Sequence, residues 1–138
     1  MQIVIFGCSQ LGAVLAARLS ELGESVVVVD PREESFTRLP VDFAGFGLAA
    51  DLTEAATWRR ARLEQADFVY VLTDQFPVNL MLSIVAQQYF GVLHVAALVK
   101  ENDQVDLLKR LNIEAIQSDL IIADAITQNR PAGGGRSS

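Results

Sequence analysis

Short continuous apolar runs alternate along this chain with longer stretches whose apolar residues recur at helical spacing. Four of the runs are rich in Val, Ile or Leu on both faces: Gln2–Phe6, Ser25–Asp30, Asp67–Leu72 and His94–Val99. Such runs are typical of parallel strands that are covered on both sides. Less regular runs predict a third and a sixth strand in chain order, at Val41–Leu48, which contains Gly45 and Gly47, and at Ile113–Ile116.

The stretches between the runs, and the one after the last run, predict helices at Leu11–Leu22, Thr53–Leu63, Pro77–Phe90, Asp103–Leu111 and Asp119–Gln128. Gly23, Gly91 and Asn112 lie at the ends of three of them, and these residue types favour the left-handed backbone that closes a helix. Because strands and helices alternate, we expect right-handed crossover connections. The pattern therefore predicts an α/β protein with a Rossmann-like, doubly wound parallel sheet.

The composition changes after Asn129. Residues 130–138 are Arg, Pro, Ala, Gly and Ser, with no large apolar side chain to bury. We therefore expect a single domain over residues 1–129, followed by a flexible tail or linker at 130–138.

The net charge of the chain limits the classes of partner that we expect. The chain has 11 Lys and Arg against 17 Asp and Glu, a formal net charge of −6, and an acidic surface repels nucleic-acid backbones and anionic lipid head groups. The densest basic cluster, Arg59, Arg60 and Arg62, is soon followed by Glu64 and Asp67, which predicts a solvated helix face. No apolar run reaches the roughly 18 residues that span a bilayer. We expect a cytoplasmic protein with no nucleic-acid partner and no direct membrane insertion.

Other candidate chemistry is sparse. The single cysteine, Cys8, excludes an internal disulfide, and no Cys/His spacing indicates a metal site. Cys8 lies near a helix start that would stabilise a thiolate, but a small residue filling the turn is the favoured interpretation. His94 is interpreted as a strand-end or interface residue. Since no nucleophile or carboxylate has a recognisable catalytic partner, the sequence predicts a protein that is not an enzyme.

The glycine-containing segment Gly7–Gly12 carries the strongest functional signal. Gly7 follows the first strand and permits a tight turn, Gly12 permits close packing of helix on sheet, and the helix start offers N–H groups to a phosphate. Asp30, at the end of the second strand, stands near the offset of about 20 residues expected for a carboxylate that binds ribose hydroxyls. A carboxylate there disfavours the 2′-phosphate of NADP. Ser9 replaces the usual middle glycine, which favours an adenine mononucleotide over NAD.

Several short segments, in order, resemble the N-terminal nucleotide-binding domain of the regulator-of-potassium-conductance family, also called the Trk-type or KTN domain. They are Gly7–Gly12, Asp30, Asp51-Leu52-Thr53, Asp67–Leu72 with Thr73-Asp74, and Val78-Asn79-Leu80. The resemblance covers nearly the whole chain to about Gln128. It implies a site made of Gly7, Cys8, Ser9, Gln10, Leu11, Gly12, Asp30, Asp51, Leu52, Thr73 and Asn79.

The resemblance also implies roles. The glycine segment and Asp30 would bind the phosphates and ribose of AMP, ADP, ATP or NAD(H), Asp51 would lie by the adenine, and Thr73 would border the ligand. Many relatives have an arginine where Gln10 stands and another near Leu98. Because neither position is basic here, AMP, ADP or NAD(H) is favoured over ATP.

The function implied is that of a non-catalytic, cytoplasmic ligand-sensing domain that acts on a membrane potassium channel or transporter subunit, peripheral to the inner membrane through that partner. Its nucleotide would shift a homodimer or a larger ring between arrangements. The apolar residues of Asp119–Gln128 favour pairing through that helix; the alternative is that the helix packs on its own sheet. Two rival functions remain open: the cofactor-binding half of an NAD-dependent oxidoreductase, and an interaction subunit with a vestigial pocket.

Overall fold

The computed structural model describes residues 1–129, so the predicted tail or linker at 130–138 lies outside the described residues. The strands are β1 (Gln2–Phe6), β2 (Ser25–Asp30), β3 (Phe46–Ala49), β4 (Phe68–Val71), β5 (His94–Val99) and β6 (Glu114–Gln117). The α-helices are α1 (Gln10–Glu21), α2 (Ala55–Arg60), α3 (Phe76–Ile84), α4 (Asn102–Arg110) and α5 (Ser118–Gln128). Short 3₁₀ helices at Glu33–Arg38 and Leu63–Gln65 and a π-helical turn at Val85–Tyr89 complete the described elements.

The six strands form one sheet in the order β3-β2-β1-β4-β5-β6, and every neighbouring pair is parallel. The chain builds outward from β1 to β3, then crosses back to β4 and builds outward in the other direction. The strand order therefore reverses between β1 and β4. At such a reversal the loops after the two strands diverge and leave a crevice at the carboxyl edge of the sheet. The predicted single-domain, Rossmann-like, doubly wound sheet is confirmed.

The core lies on both faces of the sheet. Ile3 and Ile5 of β1 pack with α1 on one face, while Val4 and Phe6 pack with α3 and α4 on the other. All four side chains are at most 3% exposed. This two-sided burial explains why the strands were recognisable as continuous apolar runs.

The predicted helix ends are confirmed. Gly23, Gly91 and Asn112 have φ values of 89°, 70° and 60°, in the left-handed region. The predicted bounds of β1, β2 and β5 also agree with the structure. Signals that depend on neighbouring residues alone were therefore sufficient at these places.

The third strand is the main correction. It was predicted at Val41–Leu48 but begins at Phe46, where pairing with Val27 of β2 starts. Before it, the N–H of Phe43 bonds to the carbonyl of Pro40 at 3.0 Å, and the side chain of Val41 is fully exposed. The apolar residues of this segment thus belong partly to a turn that apolar alternation does not distinguish from a strand.

The second and third predicted helices are shorter than expected. The predicted Thr53–Leu63 helix stops at Arg60, and Arg62 adopts a left-handed backbone (φ 61°) before a 3₁₀ turn. The predicted Pro77–Phe90 helix changes from α to π geometry after Ile84. Arg59, Arg60 and Arg62 are exposed, as predicted for a solvated face. Within residues 1–129 no helix combines the length and apolar character needed to cross a bilayer.

Candidate functional site

A cleft of about 750 Å³ opens at the carboxyl edge of the sheet, over the ends of β1 to β4. This is the position of the crevice that the reversal of strand order creates. Of the residues predicted for the site, those that line the cleft are Gly7, Ser9, Gln10, Asp30, Asp51, Leu52 and Thr73. Cys8, Leu11, Gly12 and Asn79 do not line it. The fold thus brings together residues from four separate loops.

The shape of the loop after β1 depends on two glycines. Gly7 has φ 105°, and a Cβ there would stand 3.0 Å from the backbone carbonyl carbon of Leu72. A Cβ on Gly12 would stand 2.0 Å from the carbonyl oxygen of Gly7. No side chain fits at that second distance. The loop therefore turns tightly over the end of β4, and the start of α1 packs directly against the backbone of Gly7.

Ser9 caps α1. Its hydroxyl accepts a hydrogen bond from the N–H of Gly12 at 3.3 Å. The hydroxyl proton remains available to a ligand oxygen, and the N–H groups of Gln10 and Leu11 have no acceptor inside the helix. The helix start therefore presents donors and a partial positive charge to the cleft. Leu11 itself is an exposed side chain outside the cleft.

Asp30 ties two loops together at the floor of the cleft. Its side chain is almost fully buried, at 3% residue exposure. Oδ2 accepts from the N–H of Cys8 and Oδ1 from the N–H of Arg32, both at 2.9 Å. A carboxylate offers about four acceptor positions, so each oxygen keeps capacity for another donor. The geometry suits a carboxylate that both positions the glycine loop and accepts from a ligand hydroxyl.

Cys8 is buried beneath this loop and points away from the cleft. Its thiol donates to the carbonyl of Ser35, with an S···O distance of 3.4 Å. Burial, and then the charge of Asp30, raise the pKa of the Cys8 thiol, while Arg38 acts in the opposite direction. The thiol is therefore held neutral, which agrees with the turn-filling interpretation and not with a reactive thiolate.

Two arginines of the cleft were not assigned to the site from the sequence. Arg32 lies with its Nε 3.6 Å from Oδ1 of Asp30. Arg38 ends the 3₁₀ helix after β2 and donates from Nη1 to the carbonyl of Cys8 at 3.0 Å. The apolar pair Phe36 and Leu39 packs this short helix against the core, and its three-residue spacing is the signal that would have indicated a 3₁₀ turn.

The far wall of the cleft is the segment after β3. The carboxylate of Asp51 accepts from the N–H and the hydroxyl of Thr53, at 2.9 and 2.7 Å. These two bonds lower the pKa of Asp51, so it is ionised at neutral pH. Leu52 is buried, and its carbonyl accepts from the indole N–H of Trp58 at 2.8 Å. An apolar side chain and a carboxylate acceptor thus stand side by side at this wall of the cleft.

Asn79 supports the cleft from below. It is 1% exposed, and its amide nitrogen donates to the carbonyls of Thr73 and Leu98, each at 3.0 Å. Its amide oxygen accepts from the N–H and the hydroxyl of Thr73. Asn79 lines an adjoining cavity of about 360 Å³ and not the main cleft. Its contacts join the carboxyl ends of β4 and β5 and fix the position of Thr73 at the lip.

The amino-acid sequence that forms this cleft is matched by a family model. The TrkA-N domain model matches residues 3–119. The chain belongs to the TrkA-N domain family. This confirms the family resemblance.

A curated relative of this TrkA-N domain is the Trk system potassium uptake protein TrkA of Streptomyces coelicolor. The two are 32% identical over 124 residues, which is 90% of this chain and 56% of that protein. The chain thus spans a little over half the length of its relative.

Solved structures share the fold. The TrkA-N domain of the inner membrane protein ybaL from Escherichia coli has a TM-score of 0.79 at 13% identity, over 92% of this chain and 94% of that one. The AMP-bound Kef CTD of Shewanella denitrificans has 0.74 at 16%, over 91% and 80%. GsuK bound to ADP and the GsuK channel bound to NAD each have 0.73 at 22%, over 92% of this chain and 32% and 22% of theirs.

Proposed function

We propose that this chain is a non-catalytic, nucleotide-sensing regulatory domain of a potassium transport system. The observation that carries the proposal is the cleft itself: the start of α1, the buried carboxylate of Asp30 and the segment after β3 surround one cavity of nucleotide size. Membership in a family that includes a potassium uptake protein supports the transport role.

The ligand is an adenine nucleotide lying across the carboxyl edge of the sheet. Its phosphates meet the N–H groups of α1 and the hydroxyl of Ser9, its ribose hydroxyls donate to Asp30, and its base lies against Asp51 and Leu52. Thr73 borders it from the β4 side. The AMP, ADP and NAD bound by Kef and GsuK, which share the fold, support this class of ligand. We expect AMP, ADP or NAD(H), in that the loop carries no basic side chain for a triphosphate.

Helix α5 provides the surface for pairing with a second copy. Every residue from Asp119 to Asn129 is exposed, and the large apolar side chains of the helix are 56–67% exposed: Leu120, Ile121, Ile122 and Ile126. The helix therefore does not pack on the sheet of its own chain. On the α1 side of the sheet, Phe68, Tyr70, Leu98 and Ile116 are only partly covered. Two apolar surfaces of one chain that do not meet each other favour burial in a homodimer or a ring.

Regulation follows from differential binding. A nucleotide that binds one arrangement of the paired domains more tightly shifts the assembly by that difference in affinity. The domain acts in the cytoplasm, at the inner membrane only through its channel or transporter partner.

Thermal unfolding with AMP, ADP, ATP, NAD⁺ and NADH in turn tests the binding step. A ligand at 100 times its dissociation constant stabilises a fold by about 2.7 kcal/mol. We expect a clear rise in Tm with at least one nucleotide, lost in Asp30→Asn and kept in the control Asp106→Asn, an exposed residue of α4. No shift with any of the five would contradict the sensor and favour an interaction subunit with a vestigial pocket.

A further inference from the structure

We propose that Arg38 is the cation that binds the ligand phosphate in this cleft, a role that the glycine loop does not fill. The inference rests on the proposed nucleotide-binding function and adds a residue to it. It predicts that a 5′-phosphorylated adenosine is recognised partly by a guanidinium that reaches the loop from the 3₁₀ helix after β2.

The charged residues of the cleft favour one such cation. Segment Gly7–Gly12 contains no charged residue. Among the described residues that line the cleft, the acidic ones are Asp30, Asp51 and Asp74 and the basic ones are Arg32 and Arg38. Three carboxylates repel a phosphate, so an uncompensated positive charge near the loop strengthens binding beyond what the start of α1 provides.

Arg32 does not supply that charge. Its Nε stands 3.6 Å from Oδ1 of Asp30, and its side chain is 65% exposed. Its positive charge is therefore largely balanced by the carboxylate that it contacts. Arg32 neutralises the floor of the cleft and leaves the phosphate end without a cation.

Arg38 meets the requirement. Its Nη1 donates to the carbonyl of Cys8 at 3.0 Å, which holds the guanidinium against the loop, one residue from Ser9. The ion pairs within residues 1–129 join Met1 to Glu24 and Arg32 to Asp30, so Arg38 has no carboxylate partner there. A carbonyl oxygen positions the group but leaves its charge uncompensated.

The remaining donors suit a phosphate. A guanidinium has five N–H groups, and one is used by the Cys8 carbonyl. The others are held in a planar fork, a geometry that matches two phosphate oxygens at once. Because Arg38 contacts the loop that leads into α1, its guanidinium and the start of α1 address the same phosphate group from two sides.

The test uses ADP, the moiety common to ADP, ATP and NAD(H), and adenosine, which has the same base and ribose without phosphate. Affinities are measured on the whole chain by displacement of a fluorescent ADP analogue. We expect Arg38→Gln to weaken ADP binding about 10- to 100-fold, the range for a lost hydrogen bond to a charged group. Adenosine affinity should change by less than about twofold.

Two further variants separate charge from folding. Arg38→Lys keeps the charge without the fork and should recover part of the ADP affinity. Arg59→Gln removes one positive charge from an exposed position on α2 and should leave ADP affinity unchanged. Unliganded Tm is measured for each variant, so that a collapsed loop is recognised.

The contradicting outcomes are distinct. ADP affinity unchanged in Arg38→Gln would overturn the role of Arg38 while leaving the nucleotide site in place. An equal loss for ADP and adenosine would also overturn it, because Arg38 would then only hold the loop. Absence of binding by the unsubstituted chain to any nucleotide would overturn the proposed function itself.

Discussion

Apolar side chains are buried in β1 and exposed in α5, although both segments are rich in them. In β1, near the amino end, the apolar residues from Ile3 to Phe6 are at most 3% exposed and are covered on both faces by the same chain. In α5 the four large apolar residues are more than half exposed. The difference teaches that an apolar segment of sequence does not by itself reveal whether it will be buried: β1 is buried within the fold, whereas the fold leaves α5 uncovered.

The largest expected effect compares the two ends directly. Phe6→Ala removes a fully buried ring and should lower the free energy of unfolding by about 3–5 kcal/mol. Ile126→Ala on α5 should change it by less than about 0.5 kcal/mol, because the side chain is exposed in the single chain. Urea denaturation at concentrations where the chain is monomeric measures both. A cost above about 2 kcal/mol for Ile126→Ala would mean that α5 packs on its own sheet.

A second experiment asks what covers α5. Replacing Ile122 and Ile126 with Ser should weaken self-association at least about 100-fold, since burying each side chain is worth about 1.5–3 kcal/mol. Analytical ultracentrifugation over a range of concentrations reads the dissociation constant. The matched control replaces the exposed Leu22, at the end of α1, with Ser. Equal association by both variants would remove α5 from the interface.

Substitutions at the starts of α1 and α5 should differ less in their effect on the free energy of unfolding. Ser9→Ala removes the side-chain cap of α1 and should cost about 1 kcal/mol in unfolding free energy. The N-cap of α5, Gln117, makes no side-chain capping bond, so Ser118→Ala at the first position of that helix should cost less than about 0.5 kcal/mol. Thermal unfolding of the two variants measures the difference. Equal costs would show that the Ser9 hydroxyl does not stabilise the loop.

The smallest expected effect is on the free energy of unfolding at alkaline pH. Because the pKa of Cys8 is raised in the folded chain, the unfolded chain loses the thiol proton first as the pH rises. The protonated Cys8 thiol therefore contributes to the free energy of unfolding. This contribution is fully present below the ordinary cysteine pKa of about 8.5 and is lost as the pH rises through the pKa of Cys8 in the folded chain. We expect the fall in stability above that pH to be smaller in Cys8→Ala than in the unsubstituted chain, measured by unfolding from pH 7 to 10. Identical slopes would contradict it.

Much of the site was recognisable from local pattern. Gly7 and Gly12 stand where a turn and a close packing contact require them, and Asp30 ends a strand at the expected offset. The roles assigned to individual residues by family resemblance stay predictions. The local pattern did not predict the contacts of Asn79. Its amide nitrogen donates to the carbonyls of Thr73 and Leu98 and is not directed into the main cleft. Which neighbours take up an amide depends on strands that are distant in the chain.

The sequence by itself determined the alternation of strands and helices, the positions where helices close, the family, and the loop at which a ligand is expected. The elements and their ends depend on residues within a few positions of one another, and the family and the loop depend on several such short segments in a fixed order. The tertiary structure decided where β3 begins, that Arg38 reaches the carbonyl of Cys8 across 30 residues, and that α5 stays uncovered. These outcomes depend on contacts between distant segments, whose geometry is set by the packing of the whole sheet and not by any local pattern.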